Sequence, residues 1–292
     1  MIQIGDIEVH RIEELIIYEP MTLFPDFQPD ALQENLNWLA PHYYDPDKAM
    51  FPTSIHSWLL KTPQHTILID TCGGNGKTRP ISPRFHMLDT PYLDRLKAAG
   101  VTSEQVDYVL LTHLHIDHVG WNTRFEGDRW VPTFPNAQYI MSRIERDAQD
   151  PARGAAGKPE GVNLPFIDSV QPILDAGLAR LVDGNETLFP GIDLMPIPGH
   201  SPGMMAIRVR SRGEEALFAG DIAHQPIQIA MPDWSSKYCA DPKQSAATRR
   251  RIFDYCAEQG SLLLPVHFGW PYCGRIARRG NGFVYLPHDR EP

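Results

Sequence analysis

The stretch VDYVLLTHLHIDHVGWN, residues 106–122, runs from an apolar segment straight into three histidines and an aspartate. Val106 to Leu111 has the length and composition of a buried strand, and strand ends are where a rigid scaffold presents side chains to a site. In an extended backbone, alternate side chains share a face, so His113 and His115 point the same way. Asp117 and His118 follow on a turn that aims them differently. Neutral imidazole nitrogen and carboxylate oxygen suit zinc and related divalent ions, and two aiming directions favour two ions. The chain has 12 histidines in 292 residues. Three of them within six positions read as a ligand set rather than a solvated polar loop.

Other apolar runs end the same way. ILID leads to Asp70, PIPGHSPGM places His200 between glycine and proline turns, LFAGD ends in Asp221, and LLPVH ends in His267. With the first string these give seven donors: His113, His115, Asp117, His118, His200, Asp221 and His267. Seven donors suffice for two metals sharing one carboxylate.

Hydrophobic periodicity and turn residues place the elements around them. Strands are expected over 2–17, 53–62, 65–71, 107–113 and 137–141, and a β-rich tract over 187–221. Helices are expected near 30–39, 90–99 (ended by Gly100), 142–149 and 243–259, with a helix cap at Thr102 or Ser103. Residues 150–165 read as loop. Residues 20–52 hold six prolines among Phe24, Phe27, Trp38, Tyr43, Tyr44 and Phe51. That segment is expected to wall an apolar pocket and cover the site, together with Trp121, Trp234 and Trp270.

Composition excludes several classes. Hydrophobic residues make up 42% and charged residues 22%, ordinary for a globular chain. A net charge of −9 opposes nucleic-acid binding. Of the basic clusters, Arg249 to Arg251 read as a solvated helix face. No apolar run reaches membrane-span length, and the N-terminal residues lack a signal-peptide core. The expectation is a cytoplasmic protein of one domain, residues 1–292, with no nucleic-acid or membrane partner. Cys72, Cys239, Cys256 and Cys273 form no C-x-x-C pair and are expected to be reduced thiols.

The order and context of THLHIDHVG, GHSPG, GD and PVH resemble the metallo-β-lactamase superfamily, over roughly residues 53–270. The resemblance implies an α/β protein with an αββα four-layer sandwich, two sheets face to face with helices outside. It implies that His113, His115 and His200 hold one metal, that Asp117, His118 and His267 hold a second, and that Asp221 bridges them. Asp70 matches an acidic position that supports the family's site. The cofactor implied is two divalent ions, zinc foremost, with manganese, cobalt or iron open to the same donors. The activity implied is hydrolysis by a hydroxide held between the ions, with Asp117 steering the nucleophile or passing its proton to the leaving group.

Within the superfamily, FAGDIAHQPIQIAM (218–231) and the tail RRRIFDYCAEQGSLLLPVHFGWP look similar to the methyl parathion hydrolase-like and lactonase-like branch. Lactonases commonly carry tyrosine three residues after the bridging aspartate; here that position is His224, a candidate to supply a proton or hydrogen bond. The expected substrate is a small apolar lactone, carboxylic ester or organophosphate ester, and related enzymes imply a homodimer. The alternatives are a glyoxalase-II-like thioesterase and a non-catalytic metal- or ligand-binding member of the fold.

Overall fold

Gly5, at φ +54°, and Asp6 turn the N-terminus back on itself, so that strands Ile2–Ile4 and Ile7–Pro20 pair antiparallel with Ile4 opposite Ile7. The single strand expected over 2–17 is therefore a hairpin, closed by a two-residue turn of the kind glycine permits. A computed structural model describes residues 1–288 of the chain. They form two compact units. One comprises Met1–Leu15 and Ile55–Glu186, the other Ile16–Ser54 and the chain from Thr187 onward.

In the first unit, the sheet order is Ile2–Ile4, Ile7–Pro20, Met50–Lys61, Thr66–Ile69, Tyr108–Leu110, Gln138–Ser142 and Ala179–Val182. The two long strands continue into the ranges assigned to the other unit. From Thr66–Ile69 onward the pairing is parallel, and these strands bury Ile67, Leu68, Ile69, Val109, Leu110, Tyr139, Ile140 and Met141, the apolar run that parallel strands covered on both faces require. Helices Tyr92–Ala98 and Arg143–Gln149 fall where the periodicity places them. The second is capped by Ser142, whose hydroxyl accepts from the Glu145 amide. Thr102 caps the short turn Ser103–Gln105 in a capping box. Residues 150–165 are a loop only to Pro159: a helix occupies Glu160–Ser169 despite Pro165 inside it. That internal proline is what hides it from periodicity.

The second sheet runs Thr187–Phe189, Ile192–Pro196, Met205–Ser211, Glu214–Phe218, Leu262–Leu264, Gly274–Arg279 and Gly282–Pro287. Its strands are antiparallel except where Glu214–Phe218 meets Leu262–Leu264. A parallel step needs a crossover, and helix Pro242–Gln259 supplies it, capped by Asp241 and ended by Gly260 at φ +67°.

Two expectations change here. Arg249 is not on a solvated face: its guanidinium is fully buried and donates to the carbonyls of Ile222, Pro232 and Trp234, each at 2.7 Å. Only Arg250 and Arg251 fit the solvated reading, as their outward hydrogen bonds show. The aromatics of 20–52 go largely to the core. Phe24, Tyr43, Tyr44 and Phe51 are buried with Trp234, Ile252 and Phe253, and the Phe24 ring lies 5.7 Å from Trp234 and 5.8 Å from Phe51. Burying several such rings accounts for a large share of the stabilisation of this core.

Candidate metal centre

Strand Tyr108–Leu110 stops short, and the next residues cross to a turn that carries His113, His115, Asp117 and His118. His113 and His118 are buried, His115 and Asp117 half-buried. The His113 ring lies 4.5 Å from that of His115 and 3.9 Å from that of His118. His118 Nε2 is 3.7 Å from Asp117 Oδ1. The four side chains expected from the string are thus brought together at one strand end.

Asp70 organises this turn. Its carboxylate accepts from the Thr112 amide and hydroxyl, both at 2.7 Å, and meets His118 Nδ1 at 2.9 Å. An ionised carboxylate accepts only, so Nδ1 carries the proton and the Nε2 lone pair of neutral His118 points back toward Asp117. Asp70 sits at φ +56°, an uncommon conformation for a non-glycine residue, which aims its side chain at both partners.

The second unit builds its own cluster. His200 lies in the turn after Ile192–Pro196, Asp221 on the short turn after Glu214–Phe218, and His267 beyond Leu262–Leu264. All three are buried. His200 Nε2 is 3.1 Å from Asp221 Oδ2, and His267 Nε2 is 3.0 Å from Asp221 Oδ1. His224, buried as well, places Nε2 3.3 Å from Asp221 Oδ2 and 3.3 Å from Ser236 Oγ. The Gln228 side chain holds the His224 backbone amide at 2.6 Å.

This arrangement tests whether a cation fits. His267 Nδ1 lies 3.0 Å from the Ser54 carbonyl oxygen, an acceptor, so Nδ1 donates. The Nε2 lone pair of the neutral ring then faces Asp221 Oδ1, acceptor against acceptor. His118 shows the same pattern, its Nδ1–H donated in a hydrogen bond to Asp70. A cation between the two acceptors removes the conflict. A tetrahedron with metal bonds of ~2.0–2.2 Å has edges of about 3.3–3.6 Å, so the nitrogen–oxygen separations of 3.0–3.3 Å need widen by only a few tenths of an ångström to seat an ion. The donor chemistry of both clusters fits divalent metal.

Among the supporting residues, Ser54 and Cys239 lie outside every quoted motif, while Thr112 and Gln228 lie inside THLHIDHVG and FAGDIAHQPIQIAM without being singled out there. The Cys239 sulfur approaches His200 Nδ1 at 3.6 Å. Among the described residues all four cysteines are free thiols, as expected, and no helix is long and apolar enough to cross a membrane.

Comparison with known proteins agrees with these features. The sequence profile of the metallo-beta-lactamase superfamily matches residues 50–270. A solved hydrolase, AbOPH, described as belonging to the beta lactamase superfamily, is 26% identical; the match covers 100% of this chain and 97% of that one, with a TM-score of 0.84. AidC, a dizinc quorum-quenching lactonase, shares the fold at 23% identity and a TM-score of 0.81, over 100% and 97% of the two chains. The N-acyl homoserine lactonase AttM of Rhizobium radiobacter is 30% identical over 175 residues, 52% of this chain and 58% of that protein. The chain spans less than two thirds of the length of the curated relatives it matches. A profile match over most of the chain, on two seven-stranded sheets of the metallo-β-lactamase fold, shows that this chain belongs to the metallo-beta-lactamase superfamily.

Proposed function

We propose that the protein is a dinuclear metal-dependent hydrolase of a small apolar lactone, carboxylic ester or organophosphate ester. His113, His115 and His200 would hold one ion, Asp117, His118 and His267 the other, and Asp221 both, with zinc the first candidate. In this reading all 292 residues act as one metallo-β-lactamase-like domain, with 20–52 beside the site, and two copies assemble as a homodimer. The observation that carries the proposal is the geometry at His267–Asp221 and His118–Asp117, where with neutral rings acceptor faces acceptor and a divalent cation between them resolves the opposition.

When bound, the metal pair supplies Lewis-acid activation of water and of the scissile group's oxygen. The chain's own residues do the rest. Asp117, half-buried beside His118, would steer the nucleophile or pass its proton to the leaving group. His224 is held by Gln228 with Nε2 toward Asp221; a small shift of its ring lets it offer a hydrogen bond to a substrate oxygen. A cavity of about 220 Å³ lined by Tyr18, His42, Trp270 and Tyr272 also includes Ser54 and Gly269, which flank the His267 segment. The rings of Tyr18, Trp270 and Tyr272 in its wall support a substrate with a small apolar substituent.

The test is turnover by metal-free protein reloaded with zinc, manganese or cobalt, on a lactone, a carboxylic ester, a thioester and a phosphotriester. Metal-dependent cleavage of the lactone, ester or phosphotriester is expected. Activity confined to a glutathione thioester would move the protein to the glyoxalase-II-like class. No turnover on any of them with metal bound would leave only a binding role.

A further inference from the structure

Glu14 lies outside the residues matched by the superfamily profile, on the inward face of strand Ile7–Pro20, and its carboxyl is buried at 2% exposure. Four donors converge on it. The Gly73 amide reaches Oε2 at 2.6 Å; the Gly74 amide, the Trp121 indole N–H and the Thr90 hydroxyl reach Oε1 at 3.0, 2.6 and 3.3 Å. Three of the four are N–H groups that can only donate, so both oxygens act as acceptors. Burial pushes the Glu14 carboxyl above its ordinary pKa, and these hydrogen bonds pull against that push.

The loop it holds is unusual. Cys72 and Gly74 have φ of +51° and +78°, and successive amides in such a loop form a concave nest for an anion. Here the anion is an internal side chain. The same loop is bound to the ligand-bearing turn along its length. The Thr71 amide donates to the His118 carbonyl at 2.7 Å, the Gly120 amide to the Cys72 carbonyl at 2.7 Å, and the Trp121 amide to the Thr71 carbonyl at 2.8 Å. The backbones touch so closely that a Cβ on Gly120 would lie 1.8 Å from the Gly73 carbonyl oxygen. Trp121 stacks on Tyr92, whose hydroxyl meets Ser57, which in turn contacts Cys72.

We infer that Glu14 is a positioning residue for the candidate metal centre: its carboxylate fills the 72–74 nest and clasps Trp121, fixing the loop that starts at Asp70 against the turn that carries Asp117 and His118. It touches no ligand itself and acts through the two backbone segments it joins. The inference rests on the metal-centre reading for its functional consequence, though not for its structural one.

A substitution of Glu14→Gln keeps the volume but turns an amide NH₂ toward N–H donors. In metal-free protein, amide exchange of Gly73, Gly74, Gly120 and Trp121 is expected to speed up at least tenfold. Exchange in helix Pro242–Gln259 should stay unchanged. In zinc-loaded protein, competition with a chelator should show zinc affinity lower by about 10–100-fold, the range for lost outer support of a metal ligand. Trp121→Phe, which removes one donor and keeps an aromatic side chain, is the second variant; it should give the same changes in smaller degree, and addition of acetate to Glu14→Ala should restore part of the protection. Unaltered exchange at the four amides, or a uniform rise throughout the protein, overturns the inference. Wild-type protein that binds no zinc would instead defeat the metal-centre reading and leave the exchange result to stand.

Discussion

Asp70 Oδ2 lies 2.9 Å from His118 Nδ1 while Asp70 Oδ1 accepts the Thr112 amide at 2.7 Å. One carboxylate thereby sets both the ring orientation of His118 and the backbone just before His113. Asp70→Asn keeps the shape, but its amide can present N–H to a ring nitrogen that is itself a donor. Metal affinity is expected to fall about 10–100-fold while the fold persists, as read by chelator competition beside far-ultraviolet circular dichroism. Undiminished affinity would remove Asp70 from the supporting set.

Adding zinc to metal-free protein should raise the melting temperature. Ligand at 100 times its Kd adds about 2.7 kcal/mol of stability. Stripping with a chelator should reverse the rise. His267→Ala should lose one of two metal equivalents by elemental analysis and most turnover, with its metal-free melting point lower by only a few degrees. Two equivalents retained in that variant would contradict the assignment of His267.

Lys77 gives a pH-dependent prediction. Its ammonium is fully buried, donates to Thr123 Oγ1 at 2.9 Å and sits over the Trp130 ring, while the nearby Asp168 is already held by both Arg79 nitrogens. Burial first, then repulsion from Arg79, lowers the Lys77 pKa from 10.5 to about 7 against the pull of Asp168. Between those values the unfolded chain binds the extra proton, so this group's contribution to stability improves as pH rises from 7 to 10.5 and is at its worst below 7. Lys77→Met should therefore gain on wild type near pH 7 by several degrees in melting temperature, and the gap should close toward pH 10. A gap that stays constant over pH 6–10 would show that Lys77 titrates normally.

The backbone crossing at Gly120 can be probed by a pair of substitutions. Gly120→Ala forces a Cβ into the Gly73 carbonyl, and the crossing segments must part; a loss above about 4 kcal/mol is expected. Gly76→Ala has open space, at φ +67°, and should cost about 1–2 kcal/mol from the left-handed conformation alone. Urea melts of both variants check the ranking; equal losses would refute the steric argument.

Much of this site was legible because its donors end apolar runs. His113, His200, Asp221 and His267 each follow a strand or strand-like segment, and periodicity finds strands well. What stayed hidden depends on long-range pairing. Ser54 matters through a carbonyl, which any residue has, and Gln228 through contact with the backbone of His224. Glu14 was detectable only in part: it alternates in phase with the buried Ile12, which marks an inward carboxylate without saying what it meets. Arg249 misled because a helix with three successive arginines looks solvated, and only the packing shows one of them turned inward. The helix Glu160–Ser169 and the hairpin Thr123–Glu126 with Arg129–Pro132 escaped because short or proline-bearing elements owe their form to tertiary packing rather than to local preference.

The three carbonyls gripped by Arg249 belong to Ile222, Pro232 and Trp234, all in the connection that follows Asp221. A stretch fastened at both ends to the interior of one helix has little freedom to lengthen, shorten or drift as sequences diverge. Diversification of what the protein accepts is therefore expected to accumulate in exposed segments such as 46–49, and directed libraries aimed there should return more folded, altered variants than libraries aimed at 222–234.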